Sequence, residues 1–121
     1  MNPHDSPEAC VDTYFYGLYA GDVDALRRAF HPRARLTGVV RGEPYERALD
    51  DYLAVVEGRV APEKRGETRA MRVVSIDRIG DIASVRANVT LLGFDYVDML
   101  SLVRERGEWS IVHKNFTTSE G

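Results

Sequence analysis

The sequence predicts an α+β domain in which helices gather on one face of an antiparallel sheet, and three observations carry that reading. In the first half of the chain apolar residues recur at three- and four-residue spacing, the period of a helix with one buried stripe. After residue 68 the period falls to two, in four stretches separated by Gly-containing turns, which is the pattern of a strand meander. The order helix, helix, strand, helix, then four strands segregates the two kinds of element along the chain, as α+β domains do. With 121 residues, 44% of them apolar and 29% charged, the chain has material for one core and not for two. Residues 1–121 are therefore expected to form one domain, with 1–5 as a flexible tail.

Each element carries its own signals. Ser6 caps, Pro7 suits the first turn and Glu8 complements the dipole of a helix running to Ala20, with Cys10, Val11, Tyr14, Phe15 and Leu18 on its apolar stripe. "AGD" breaks that helix, Asp22 caps a short second one over "VDALRRAF", and His31-Pro32 stops it, with His31 placed to cap backbone carbonyls. "ARLTGVV" has strand character. "RGEPYE" reads as a turn into a third helix, "RALDDYLAVVEGR", whose apolar face is Leu49, Tyr52, Leu53 and Val56. "VAPEKRGET" is a polar loop, and strands are predicted at about 68–79, 82–92, 94–105 and 109–118.

Composition excludes several function classes. A net charge of −3 without any Lys or Arg run is not the footprint of a nucleic-acid binder. The N-terminus lacks the regions of a signal peptide, and no apolar run reaches the ~20 residues that span a bilayer, so no membrane role and a cytoplasmic location are expected. Cys10 is the sole cysteine, which rules out an internal disulfide and fits a reducing compartment; its spacing points to packing. His4, His31 and His113 share no metal-ligand spacing, and no G-x-G-x-x-G, P-loop or G-x-S-x-G is present, so neither metal nor cofactor is expected.

One stretch is anomalous. "DYVDMLSLVRERGEWSIVHKNF" (95–116) reads as two strands around a tight turn, and it sets Asp98 among Tyr96, Val97, Met99 and Leu100. Strict alternation puts Tyr96, Asp98, Leu100 and Leu102 on one face and Val97, Met99, Ser101 and Val103 on the other. In the last strand it separates Ser110, Val112, Lys114 and Phe116 from Trp109, Ile111, His113 and Asn115. Neither face of either strand is plainly polar, so helices are expected over one and a second subunit over the other. The first sets point inward, where Lys114 either pairs with Asp98 or carries its amine out to solvent on a packed stem.

"YFYGLYAGDVDALRRAFHPRARLTGVV", then one helix and four long strands ending in "GEWSIVHKNF", resembles the nuclear transport factor 2-like superfamily over nearly the whole chain. "AFHP" and the closing W-x-I-V-x-K-x-F resemble its SnoaL-like and lumazine-binding-like bacterial branches. The resemblance implies a cone: a curved antiparallel, cystatin-like sheet wrapped around three helices, with a pocket at its wide end. It also implies a homodimer through the outer sheet face, here Val97, Met99, Trp109 and Ile111. The ketosteroid isomerases share this fold, and their oxyanion-binding tyrosine and protonated aspartic acid match Tyr14 and Asp98. Their general base falls at about Gly38, which has no side chain to accept a proton.

The expected pocket comprises Tyr14, Leu18, Leu36, Tyr52, Val56, Asp98, Leu100, Val112, Lys114 and Phe116. Its expected ligand is small, apolar or ring-bearing, with a polar group near Tyr14 and Asp98. The leading reading is a small-molecule binding domain. The alternative is a cofactor-free isomerase or lyase acting on a polyketide- or steroid-like carbonyl compound, with Tyr14 and Asp98 catalytic and His31 or Lys114 as base. A third reading is a purely structural dimer module.

Overall fold

Ser6 sets the start of the first helix in a computed structural model that describes residues 4–119. Its extended backbone lets Oγ accept the Ala9 N–H at 3.1 Å, satisfying one orphan donor of α1 (Pro7–Ala20), while Pro7 sits where a missing N–H costs nothing. Gly21 ends α1 at φ 67°, a left-handed conformation, and a Cβ there would also meet the Ala61 Cβ at 2.8 Å. Asp22 caps α2 (Val23–Ala29) through the Ala25 N–H at 3.1 Å.

β1 (Phe30–Val40) starts directly after α2, so His31 lies on a strand instead of capping a helix. Its Nδ1 accepts the Arg33 N–H at 3.1 Å, and its Nε2 lies 3.0 Å from Glu105. The stretch read as a turn into a helix holds a sixth strand, β2 (Glu43–Ala48), reached through a two-residue turn with positive φ at Arg41 and Gly42. β2 is an edge strand, which is why Pro44 is tolerated in it. Next come α3 (Leu49–Gly58), β3 (Ala70–Ile79), β4 (Ile82–Leu91), β5 (Phe94–Glu105) and β6 (Glu108–Thr118).

The spatial order is β2-β1-β6-β5-β4-β3. Every neighbouring pair is antiparallel except β1 and β6, which run parallel because the chain returns its last strand beside its first. The sheet is thus mixed, curved and unclosed, consistent with the α+β cone fold. Its inner face, with Ala83, Val85, Ala87, Val89 and Leu91 buried along β4 as their alternation predicts, packs on Val11, Tyr14, Leu18, Leu53 and Val56 of the helices.

A bulge in β6 overturns part of the predicted alternation. Ser101 pairs with His113 and Leu102 with Ile111, which leaves Val112 without an opposite residue. The extra residue switches the side-chain parity midway along the strand. Trp109 and Ile111, expected on the outer face, are therefore fully buried in the core. Val112, expected in the pocket, faces the other way and lines a surface hollow with His31, Arg33, Val103 and Glu105. Lys114 and Phe116 point inward as predicted.

The tail expectation also fails at its inner end. His4 is buried, its carbonyl accepts the Trp109 N–H at 2.9 Å, and its Nε2 lies 3.2 Å from Thr13 Oγ1. The rest of the expected tail up to residue 3 lies outside the described residues. Cys10 packs as predicted: its thiol donates to the Ala29 carbonyl at 3.4 Å, and burial pushes its pKa up to about 12, which makes it a poor nucleophile. Among the described residues no helix is long and apolar enough to cross a membrane.

Candidate functional site

Two ionisable side chains lie in the interior on neighbouring strands. Asp98 is 1% exposed and Lys114 5% exposed. On β5 and β6 Asp98 stands opposite Phe116, and Leu100 stands opposite Lys114, so the acid and the amine are diagonal neighbours on the inner face. Burying a charge is costly unless its surroundings replace water, and the two groups solve that problem differently.

Asp98 is served by a hydrogen bond. The Tyr14 hydroxyl, carried in by α1, donates to Asp98 Oδ2 at 2.5 Å, and Tyr14 is wholly buried. Burial, reinforced by the Asp98 carboxyl, pushes the Tyr14 phenol well above its ordinary 10.0, so at neutral pH it remains a donor. Lys114 is served mainly by aromatic faces. Its Nζ lies 4.7 Å from the Phe116 ring centroid, 4.9 Å from that of Tyr52 and 5.2 Å from that of Tyr14, and it donates to the Tyr52 hydroxyl at 3.4 Å. Burial acts to lower the Lys114 pKa, but the pull of Tyr52, Asp98 and Tyr45 outweighs it and raises the value above 10.5. Lys114 is therefore an ammonium at neutral pH and no general base.

Asp98, Lys114, Tyr52 and Phe116 border a cavity of about 170 Å³. Val40, Val55, Val89 and Leu91 give it apolar walls, Tyr45, Tyr52, Tyr96 and Phe116 give it rings, and Arg59, Asp98 and Lys114 give it charge. That volume lies below the roughly 300–1,000 Å³ of pockets for drug-sized ligands and suits a single ring. A larger hollow, about 620 Å³, lies against the outer side of the sheet at Thr37, Val39, Val97, Met99 and Asn115. Neither Asp98 nor Lys114 lines that hollow, so the inner cavity is the better candidate for ligand chemistry.

Of the residues the sequence placed in a pocket, Tyr52, Asp98, Lys114 and Phe116 line this cavity. Leu18, Leu36, Val56 and Leu100 are buried core, and Tyr14 stands behind Asp98 instead of beside it. The expected pair of convergent donors is thus arranged in series: Tyr14 holds Asp98, and Asp98 faces the cavity. His31 is not among the lining residues. Gly38 is more than an absent base, since a Cβ there would lie 2.1 Å from the Phe116 carbonyl oxygen. Parallel pairing with Phe116 leaves no room for any side chain at that position.

Sequence reasoning missed Val40, Tyr45, Val55, Arg59, Val89, Leu91 and Tyr96 as cavity residues. Tyr45 was hidden by reading its strand as a turn. The tripeptide "RGE" did not reveal it: it occurs at 41–43, 65–67 and 106–108, and only the first and last turn strands back on themselves. Among the described residues no cluster of His, Cys, Asp and Glu suited to a metal ion occurs.

Residues 3–117 match the family described as "Putative lumazine-binding". A solved nuclear transport factor 2-like protein of unknown function from Silicibacter pomeroyi DSS-3 is 28% identical, with a TM-score of 0.84 over 93% of this chain and 92% of that one. A second, from Shewanella baltica OS155, is 23% identical, with a TM-score of 0.82 over 93% and 90%. A cystatin-like fold protein from Burkholderia xenovorans LB400 is 20% identical, with a TM-score of 0.71 over 94% and 89%. The last two establish likeness of fold alone. No curated protein matches the chain.

Proposed function

The chain belongs to the family described as "Putative lumazine-binding", within the nuclear transport factor 2-like superfamily, and from that premise we propose that it is a small-molecule binding domain. The ligand is a compact ring compound with a polar substituent directed at the lining set of Arg59, Asp98 and Lys114. The observation that carries this reading is the placement of Asp98 and Lys114, both buried, on a cavity with apolar and aromatic walls. Two ionisable groups held out of water add little to stability compared with apolar residues of the same size, so a ligand is the simplest reason for them. Titrating single-ring phenols and cyclic ketones into ¹⁵N-labelled protein should shift the amides of Val89, Leu91, Tyr96 and Asp98. Unchanged spectra at saturating compound would sink the proposal.

A second reading, a cofactor-free isomerase or lyase acting on a carbonyl compound, is favoured by the Tyr14–Asp98 hydrogen bond. It faces a specific difficulty: Gly38 cannot carry a base, Lys114 is protonated, and His31 is elsewhere. Asp98 alone would have to accept the proton. Following α-proton exchange of a cyclic ketone in deuterated water separates the readings, since binding without accelerated exchange leaves only the first.

The homodimer belongs to the same proposal. With Trp109 and Ile111 in the core, the apolar content of the expected interface reduces to Met99, 48% exposed, and the half-buried Val97, beside Val39 at 47%. Sedimentation at tens of micromolar tests it, and Met99→Glu is the substitution that should dissociate the dimer.

A further inference from the structure

Arg59 borders the cavity with a side-chain nitrogen that the fold leaves without a partner. It is the residue that closes α3, where its backbone N–H bonds the Val56 carbonyl at 3.4 Å. Its Nη2 is buried and has no hydrogen-bond partner. An orphaned guanidinium nitrogen in a protein interior carries a desolvation penalty that a partner would remove. The side chain borders the cavity, and its charge is felt at Tyr14, where it opposes the upward shift caused by burial.

Charge counting then constrains the ligand. The lining residues carry two cations, Arg59 and Lys114, and one carboxyl, Asp98. Whether that carboxyl is ionised or protonated, positive charge remains in excess. Lys114 is already served by three rings and the Tyr52 hydroxyl, so Arg59 holds the donor still to be satisfied.

We infer that the ligand is a monoanion, a single-ring carboxylate whose carboxylate oxygens lie against Arg59 with Lys114 behind them and whose ring packs on Tyr45, Tyr96 and Phe116. A planar carboxylate matches the guanidinium fork, and its negative charge meets the positive excess of the lining. The volume admits a ring of this size and the walls are apolar or aromatic. This inference rests on the ligand-binding reading above and narrows it to a chemical class.

Benzoate and its neutral analogue benzamide, titrated separately and followed by amide shifts at Val89, Leu91 and Tyr96, test it. Benzoate is expected to bind at least about tenfold more tightly, as a charge-assisted bond requires, and to weaken as salt rises. In Arg59→Met that gap should close, chiefly through loss of benzoate affinity. Equal binding of the two compounds by the unaltered protein would overturn the inference and leave the binding function standing. A gap that persists in Arg59→Met would overturn it too. If neither compound binds, the inference falls, and the binding function falls with it only where the phenols and cyclic ketones also leave the spectrum unchanged. The comparison within the unaltered protein can be read even if the variant does not fold.

Discussion

The two halves of β6 have opposite characters, although they belong to one strand and face the same interior. Before the bulge, Trp109 and Ile111 enter the core and are fully buried, with the Arg78 and Arg104 guanidinium groups over the Trp109 ring. After it, Lys114 and Phe116 enter a cavity with Asp98 and Arg59. In the first half burial stabilises directly, since each large apolar side chain removed from water contributes roughly 1.5–3 kcal/mol. In the second half burial is spent on an ammonium that must be compensated by rings and a hydroxyl. One unpaired residue, Val112, lets both halves face inward. A strand can thus serve stability along one part and binding along the next.

Changing the residue count within the first half is the most drastic way to break the comparison. Deletion of Ser110 makes Trp109 and Ile111 neighbours, so one of them must turn outward, whereas deletion of Val112 closes the bulge and keeps Trp109, Ile111, Lys114 and Phe116 on one face. Loss of a dispersed ¹H–¹⁵N spectrum is expected for the first deletion and not for the second. A native-like spectrum for the first would show that alternation does not hold Trp109 in the core. Next in size, Trp109→Ala should cost about 3–5 kcal/mol in urea unfolding, a large share of the ~5–15 kcal/mol a domain possesses. A loss below about 1 kcal/mol would place Trp109 outside the core after all.

The cavity half should behave otherwise. Asp98→Ala leaves the buried Tyr14 hydroxyl without its acceptor and should cost about 1–3 kcal/mol. Lys114→Met, in which a thioether replaces the ammonium among the same rings, should change stability by less than about 1 kcal/mol. If Lys114→Met were the more damaging of the two, the ammonium would be a structural element and the contrast between the halves would collapse.

The smallest effect is a dependence on pH. Tyr14 and Lys114 both have folded values raised above their ordinary 10.0 and 10.5. A raised value means that the folded chain still holds its proton when the unfolded chain has released it. Stability is therefore complete below the unfolded values and falls as pH rises through the folded ones. Melting temperatures measured between about pH 9 and 11 should decline, and less steeply in Lys114→Met. A flat profile would mean that these groups are more hydrated than their burial implies.

Much of the fold was legible in local chemistry. The caps Ser6 and Asp22, the Gly21 stop and the alternation of β4 each depend on a few neighbouring residues, and each lies where the sequence predicts. β2 was missed because Pro44 argues against a strand unless that strand is known to lie at an edge, and edge position is a property of the assembled sheet. Asp98 was found because an acid amid apolar neighbours is visible in any window, and its burial follows from the parity of an unbroken strand.

The sequence by itself determined the α+β class, the bounds of the first helix, the inward direction of Asp98, and the family through its closing motif. Only the tertiary structure decided which way Trp109, Ile111 and Val112 face, because a bulge is a mismatch between two strands and leaves no mark in either alone. It also decided that Tyr14 supports Asp98 from behind, that no side chain fits at Gly38 beside the Phe116 carbonyl, and that Arg59 borders the cavity with an unpartnered nitrogen. Each of these depends on contacts between residues far apart in the chain. Such contacts are fixed by packing the sheet against the helices, and no local pattern of spacing encodes them.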